Sequence, residues 1–179
     1  AGRNPPAAYP EEKKNAELFR QGTNLLLSDR GGHILNPQVG MFDRVAELDF
    51  TSMYPALMVQ YNVSPETLNC PCCTDPQKQV KVPGLPYHLC QKRQGIVALA
   101  LRVPLDKRIQ YKRLSKDPTH PLRDRYHNME SALKWILVVC FGYLGFRNAR
   151  FGRIEAHQTV CAYSRQFLLT AKQIVEDQA

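Results

Sequence analysis

Two stretches of helical pattern, 96–114 and 124–143, are separated by little more than the turn sequence KDPTH at 116–120. Helices of that length with so short a connection must run antiparallel and pack on each other, so the pattern predicts a helical hairpin. Pro104 lies inside the first helix, and Gly142 and Gly145 close the second. A third long helix is predicted over 155–177, where Val160, Tyr163, Phe167, Leu168, Ala171 and Ile174 recur at helical spacing. Trp135, the single tryptophan, is expected in the core.

The remaining signals are shorter. Residues 1–10 are rich in Pro and Ala and read as an arm, and 11–27 as a helix interrupted by Gly22. Short strands are predicted at 33–35 and 44–50, the latter from the alternation in VAELDF. SMYPALMVQYN then turns into a helix, with Pro55 tolerated in its first turn. Residues 62–68 form a loop, 69–93 an irregular excursion without periodicity, and 147–154 a connector or short strand. The longest apolar run, 135–141, falls short of the roughly 18 residues that span a bilayer, and no apolar segment follows the basic start as in a signal peptide. Membrane, collagen-like and disordered classes are therefore not expected.

Charge is unevenly placed. The chain has 24 Lys+Arg against 16 Asp+Glu, a net of +8. Residues 102–153 hold 12 basic and 4 acidic side chains, so the whole excess lies on the predicted hairpin and its exit. Such a localised excess suits a polyanion such as nucleic acid or nucleotide phosphate, or else forms a solvated basic face.

Four of the six cysteines fall between Cys70 and Cys90, and Cys140 and Cys161 lie in apolar helical surroundings. This usage suggests a reducing, intracellular compartment rather than a disulfide scaffold. Cys70, Cys73, His88 and Cys90 have the spacing of a small tetrahedral Zn²⁺ site, the alternative being free thiols in a surface loop. Cys140 and Cys161 read as packing residues.

Three further constellations carry chemistry. Asp49 ends an apolar strand at a sharp turn into a helix, where its carboxylate suits either a divalent metal or a helix cap. Arg108 and Lys112 share one helical face at i,i+4, fit for a polyphosphate or simply for solvent. Lys134 heads the most apolar helix and shares a face with Val138 and Phe141; it either binds an anion or snorkels.

In this order the three constellations resemble family B DNA polymerases. Asp49, Ser52, Met53, Tyr54 and Pro55 match that family's first palm motif, DxxSLYP, and residues 62–68 continue as its NxSPETL. Arg108 and Lys112 fall where its fingers helix meets the incoming nucleotide, and Lys134, Phe141 and Gly142 fit its fingers motif KxxxNSxYG. The segment YLGFRNARFGRIEAH resembles the return from fingers to palm, so the resemblance covers about residues 30–179.

The resemblance implies an α+β fold: a partial palm of antiparallel strands backed by helices, with a helical-hairpin fingers extension. It implies an N-terminal arm at 1–30, a first palm part at 31–69, the Cys-rich loop at 70–93, fingers at 94–146 and a return to the palm at 147–179. The implied activity is two-metal nucleotidyl transfer with Mg²⁺ or Mn²⁺ on primer–template DNA and deoxynucleoside triphosphates. Asp49 would hold metal. Ser52, Met53, Tyr54, Arg108, Lys112, Lys134, Phe141 and Gly142 would bind nucleotide, with Tyr54 lying under the sugar.

The departures are specific. Val138-Val139 replaces the motif's Asn-Ser, Phe141 replaces its Tyr, and no YGDTDS-type segment supplies a second metal aspartate within these residues. This resembles a divergent branch of the family whose activity is an open matter. On the resemblance, the segment is expected to be inactive alone and to work with further polymerase segments or subunits. The rival readings are a non-catalytic polymerase-like module that binds DNA or acts as a scaffold, and a zinc-stabilised interaction domain.

Overall fold

A computed structural model describes residues 35–36, 39–77, 79–146 and 148–178. In chain order its elements are helix α1 (Met53–Gln60), strands β1 (Val80–Lys81) and β2 (His88–Leu89), and helices α2 (Ile96–Lys116), α3 (Arg123–Gly145) and α4 (Ile154–Gln178). The architecture is mainly helical with one small antiparallel sheet, in which Val80 pairs with Leu89 and Lys81 with His88. Leu68 adds an isolated bridge to Leu89.

Helices α2 and α3 form the antiparallel hairpin that the sequence predicts. Three cross-helix contacts fix the register: Tyr111 on Tyr126 at 5.3 Å between ring centroids, Arg108 paired with Glu130, and Arg123 Nε donating to the Ser115 carbonyl at 3.2 Å. Leu101, Leu105, Leu137 and Leu144 fill the interior of the bundle, each contributing about 1.5–3 kcal/mol on full burial. α2 continues through Pro104, whose missing N–H leaves one rung of the helix unmade.

α1 and the first half of α4 pack beneath the hairpin. Ala156 and every residue from 158 to 164 are buried, so this half of α4 is enclosed on all sides. Tyr163 stacks on Tyr61 at 3.9 Å, and burial pushes its hydroxyl up to about 12. The second half of α4 is largely exposed, including Phe167, Leu169, Ile174 and Val175. The turn from α3 to α4 closes through Arg153 N donating to the Leu144 carbonyl at 2.7 Å. Gly152 is required there: a Cβ would sit 2.4 Å from the Phe146 carbonyl oxygen.

Several expectations are corrected. Residues 44–50 form no strand; they are exposed and lack a sheet partner among the described residues. Alternation specifies a strand only where one face is buried, and nothing described covers this one. The only sheet among the described residues lies at 80–89, inside the stretch expected to be irregular. Trp135 is 71% exposed rather than in the core, because α3 fully buries only Leu137 and Leu144. The predicted arm and helix at 1–27, and most of the strand at 33–35, lie outside the described residues.

Candidate active site

The entry to α1 is a corner. Ser52 adopts a left-handed conformation (φ 55°, ψ 41°), and its carbonyl accepts the first helical bond from Ala56 N at 2.9 Å. Its hydroxyl does not cap the helix; it accepts a hydrogen bond from Arg108 Nη1. Arg108 Nη2 pairs with Glu130 Oε1 at 2.7 Å, with the two side chains only 8% and 12% exposed. Sequence spacing leaves Arg108 as a cation on an open face, whereas the structure buries it between α1 and α3. Arg108 Nε is buried without a partner among the described residues. Glu130 is the residue the sequence reading missed, although an acidic side chain within so basic a hairpin is itself a signal.

One turn further, Tyr54 stacks on Phe141 at 4.2 Å, and Phe141 stacks on His157 of α4 at 4.3 Å. Helical geometry puts Glu130, Lys134, Leu137 and Phe141 on a single stripe of α3. Lys134 is exposed on that stripe, between the levels that meet Ser52 and Tyr54. Lys112 is half-buried, one turn beyond Arg108 on the opposite side of the Arg108–Glu130 level. The two lysines therefore bracket that level at about 12 Å along the hairpin axis. Met53 is half-buried against the core, and Gly142 is exposed with open space where a Cβ would point.

Asp49 lies three residues before Ser52, exposed, with no hydrogen-bond or ion-pair partner among the described residues. It borders an open groove of about 530 Å³ between Leu48, Phe50 and the Leu168–Val175 face of α4.

The loop 62–68 does what no spacing argument reveals: it caps α2 from a distance. Gly95 at the head of α2 offers no capping side chain. Asn62 Oδ1 accepts from Gly95 N at 2.7 Å, Glu66 Oε1 from Ile96 N at 2.5 Å, and Ser64 Oγ from Val97 N at 3.3 Å. Three amide groups that a helix start leaves unpaired are thus satisfied by one loop. Arg153 Nη1 holds the loop in turn, donating to the carbonyls of Pro65 and Leu68 at 2.6 and 3.1 Å. Gly95 permits this closeness, since a Cβ would lie 2.4 Å from Ser64 Cβ.

In the cysteine loop the Sγ atoms of Cys70, Cys72, Cys73 and Cys90 all lie within 4.8 Å of one another. His88, predicted from spacing as a ligand, stands beside this group, with Nε2 3.9 Å from Cys70 Sγ and 3.3 Å from the Cys70 carbonyl oxygen. Cys72 Sγ, rather than His88, lies beside Cys90 Sγ, where the Leu68–Leu89 bridge and the bond from Asn69 N to the His88 carbonyl run residues 68–70 alongside β2. Burial, with hydrogen bonding among the thiols, pushes Cys70 up to about 12. Burial acts upward on Cys90 too, but the Arg93 and Lys92 amides outweigh it and hold that thiol near 6.

Residues 9–179 match the sequence profile of DNA polymerase family B. The chain belongs to this family. Among the relatives of this family B chain, DNA polymerase 2 of Saccharolobus solfataricus is 34% identical over 168 residues, covering 94% of the chain and 24% of the relative. DNA polymerase 1 of Aeropyrum pernix is 34% identical over 142 residues, covering 78% of the chain and 14% of the relative. The solved family B DNA polymerase of Pyrobaculum calidifontis superposes with a TM-score of 0.61 at 29% identity, covering 72% of this chain and 17% of that one. The chain thus spans a quarter or less of the length of the polymerases it matches.

Proposed function

We propose that this chain is the part of a DNA-directed DNA polymerase that joins palm to fingers. On this reading α2–α3 is the fingers hairpin, and α1, α4 and the segment 39–52 belong to the palm. One observation supports it most: Ser52 and Tyr54 of the first motif meet Arg108 and Phe141 of the hairpin, so motifs far apart in sequence share one site.

Asp49 offers the hard, accessible carboxylate that Mg²⁺ or Mn²⁺ prefers, and would hold the ion together with a second carboxylate. When bound, the metal supplies activation of a primer hydroxyl and neutralisation of phosphate charge. The chain's own residues bind and orient. Lys112 and Lys134 receive the triphosphate of the incoming deoxynucleotide, the Tyr54–Phe141 stack forms an apolar floor under its sugar and base, and Arg108 positions Ser52. Exposed Arg102, Lys107, Arg113, Arg123 and Arg125 supply phosphate contacts to primer–template DNA, so affinity should fall steeply with salt.

Primer extension by the full-length polymerase with Mg²⁺, beside an Asp49→Asn control, tests this directly. Extension that disappears in the control supports the reading. Lys134→Ala should raise the KM for deoxynucleotide about tenfold, as expected for a lost charged contact of about 1.4 kcal/mol; an unchanged KM removes Lys134 from the site. Val138 and Val139, 52% and 56% exposed and unable to hydrogen-bond, favour a second reading, a non-catalytic polymerase-like module. DNA binding without any extension would establish it.

A further inference from the structure

The cysteine cluster lies outside the chemistry above, and its geometry is that of a metal site. Cys72 Sγ stands 3.4 Å from both Cys70 Sγ and Cys90 Sγ, and Cys73 Sγ is 4.0 Å from Cys90 Sγ. Four thiolates on one tetrahedral zinc, each about 2.3 Å from the ion, would be about 3.8 Å from one another. The observed separations bracket that value. They exceed by far the roughly 2.05 Å of a disulfide, and all four cysteines are free. The sulfurs are also too close together to surround an iron–sulfur cluster.

A second feature points the same way. Arg93 N donates to Cys90 Sγ at 3.3 Å, a backbone amide directed at sulfur of the kind that stabilises a bound thiolate. Four thiolates and one Zn²⁺ leave a net charge of −2, and Lys92 and Arg93 lie two and three residues after Cys90 in the chain.

We infer that Cys70, Cys72, Cys73 and Cys90 hold one structural Zn²⁺ that clamps the base of α2. Four protein ligands close the coordination sphere and leave no position for a catalytic water. The mechanical link is explicit. Cys90 N donates to the Thr67 carbonyl at 2.8 Å. Asn62 Nδ2 donates to the carbonyls of Cys90 and Arg93 at 3.0 and 2.8 Å, while its Oδ1 receives the Gly95 amide. Anchoring Cys90 therefore anchors the loop that caps α2. The ion anchors residues 70–77, among which only Cys70 is buried.

The test uses the full chain purified under reducing conditions without chelator. Elemental analysis should give about one zinc per chain. Cobalt(II) exchanged into the site should show the intense visible bands of a tetrahedral thiolate centre. Cys72→Ser should reduce the sulfur-to-cobalt charge-transfer intensity by about a quarter or lose the metal, while His88→Ala and Cys140→Ser leave it unchanged. Hydrogen exchange should quicken at the Gly95–Val97 amides when zinc is stripped, with 156–164 unaffected.

Metal-free protein that gives no cobalt spectrum would overturn the site, and iron in place of zinc would overturn the assignment of the metal. A spectrum altered by His88→Ala but not by Cys72→Ser would overturn the ligand set. Exchange at α2 unmoved by zinc removal would overturn the clamp. None of these outcomes depends on primer extension, so the metal site and the polymerase reading stand or fall separately.

Discussion

Residues 45–51 and 62–68 are close in sequence, flank the same short helix and carry adjacent family motifs, yet they are held in opposite ways. The second is fixed from every side: its side chains cap α2, Arg153 grips its carbonyls, and Val63, Ser64, Pro65, Thr67 and Leu68 are buried. The first is exposed throughout. It is attached at Ser52 through Arg108 and borders an open groove on α4. The NxSPETL residues are held by what they support inside the chain, whereas no contact among the described residues holds the Asp49 side chain.

That contrast can be broken at several points. Removing one partner of the enclosed ion pair should cost most. Glu130→Ala strands the Arg108 charge and should destabilise by about 3 kcal/mol in urea denaturation, whereas the double change Arg108→Met with Glu130→Leu should fall near wild type. Equal losses in the two proteins would show that the pair itself, rather than the stranded charge, holds α2 to α3. Gly95→Ala, which drives a Cβ against Ser64, should cost about 2 kcal/mol. A smaller loss would mean that the loop can shift, and that it is less firmly fixed than its hydrogen bonds suggest.

Smaller effects sharpen the same contrast. Glu66→Ala takes one acceptor from the α2 cap and should cost about 1 kcal/mol, with faster hydrogen exchange confined to the first turn of α2. Asp49→Asn should leave stability within about 0.5 kcal/mol while abolishing primer extension by the full-length polymerase. If Asp49→Asn lowered stability as much as Glu66→Ala, the exposed segment would be structural after all.

The long helices were the most legible part of the fold. Their apolar periodicity predicts 96–114, 124–143 and 155–177, and the structure extends each end by at most two residues. Periodicity marked the helices without marking how much of each is buried: α3 fully buries only Leu137 and Leu144, and Phe167 and Ile174 of α4 are exposed. The candidate site was legible as an inventory of residues more than as a set of contacts. Tyr54 and Phe141 do meet, but no spacing rule indicates that Arg108 turns inward to Glu130, because their proximity depends on hairpin register. The surroundings of Cys90 were hidden for a similar reason. Spacing does not indicate that Cys72 Sγ lies 3.4 Å from Cys90 Sγ while His88 Nε2 meets Cys70, because that depends on how residues 68–70 run alongside β2. The capping role of Asn62, Ser64 and Glu66 was hidden because the helix they cap begins about thirty residues later. Trp135 was misplaced because an apolar residue next to a core position need not share its face.

The corner at Ser52 restricts which residues evolution can sample there. A left-handed backbone favours glycine, but glycine has no hydroxyl to receive Arg108. Threonine keeps the hydroxyl, yet its branched Cβ is ill-suited to positive φ. Alanine fails on both grounds. Asparagine and aspartate tolerate the conformation and carry an oxygen, but aspartate would compete with Glu130 for the same guanidinium. Serine is thus the smallest side chain that meets both demands, and a library randomised at this codon and selected for a folded chain should return mainly Ser and Asn.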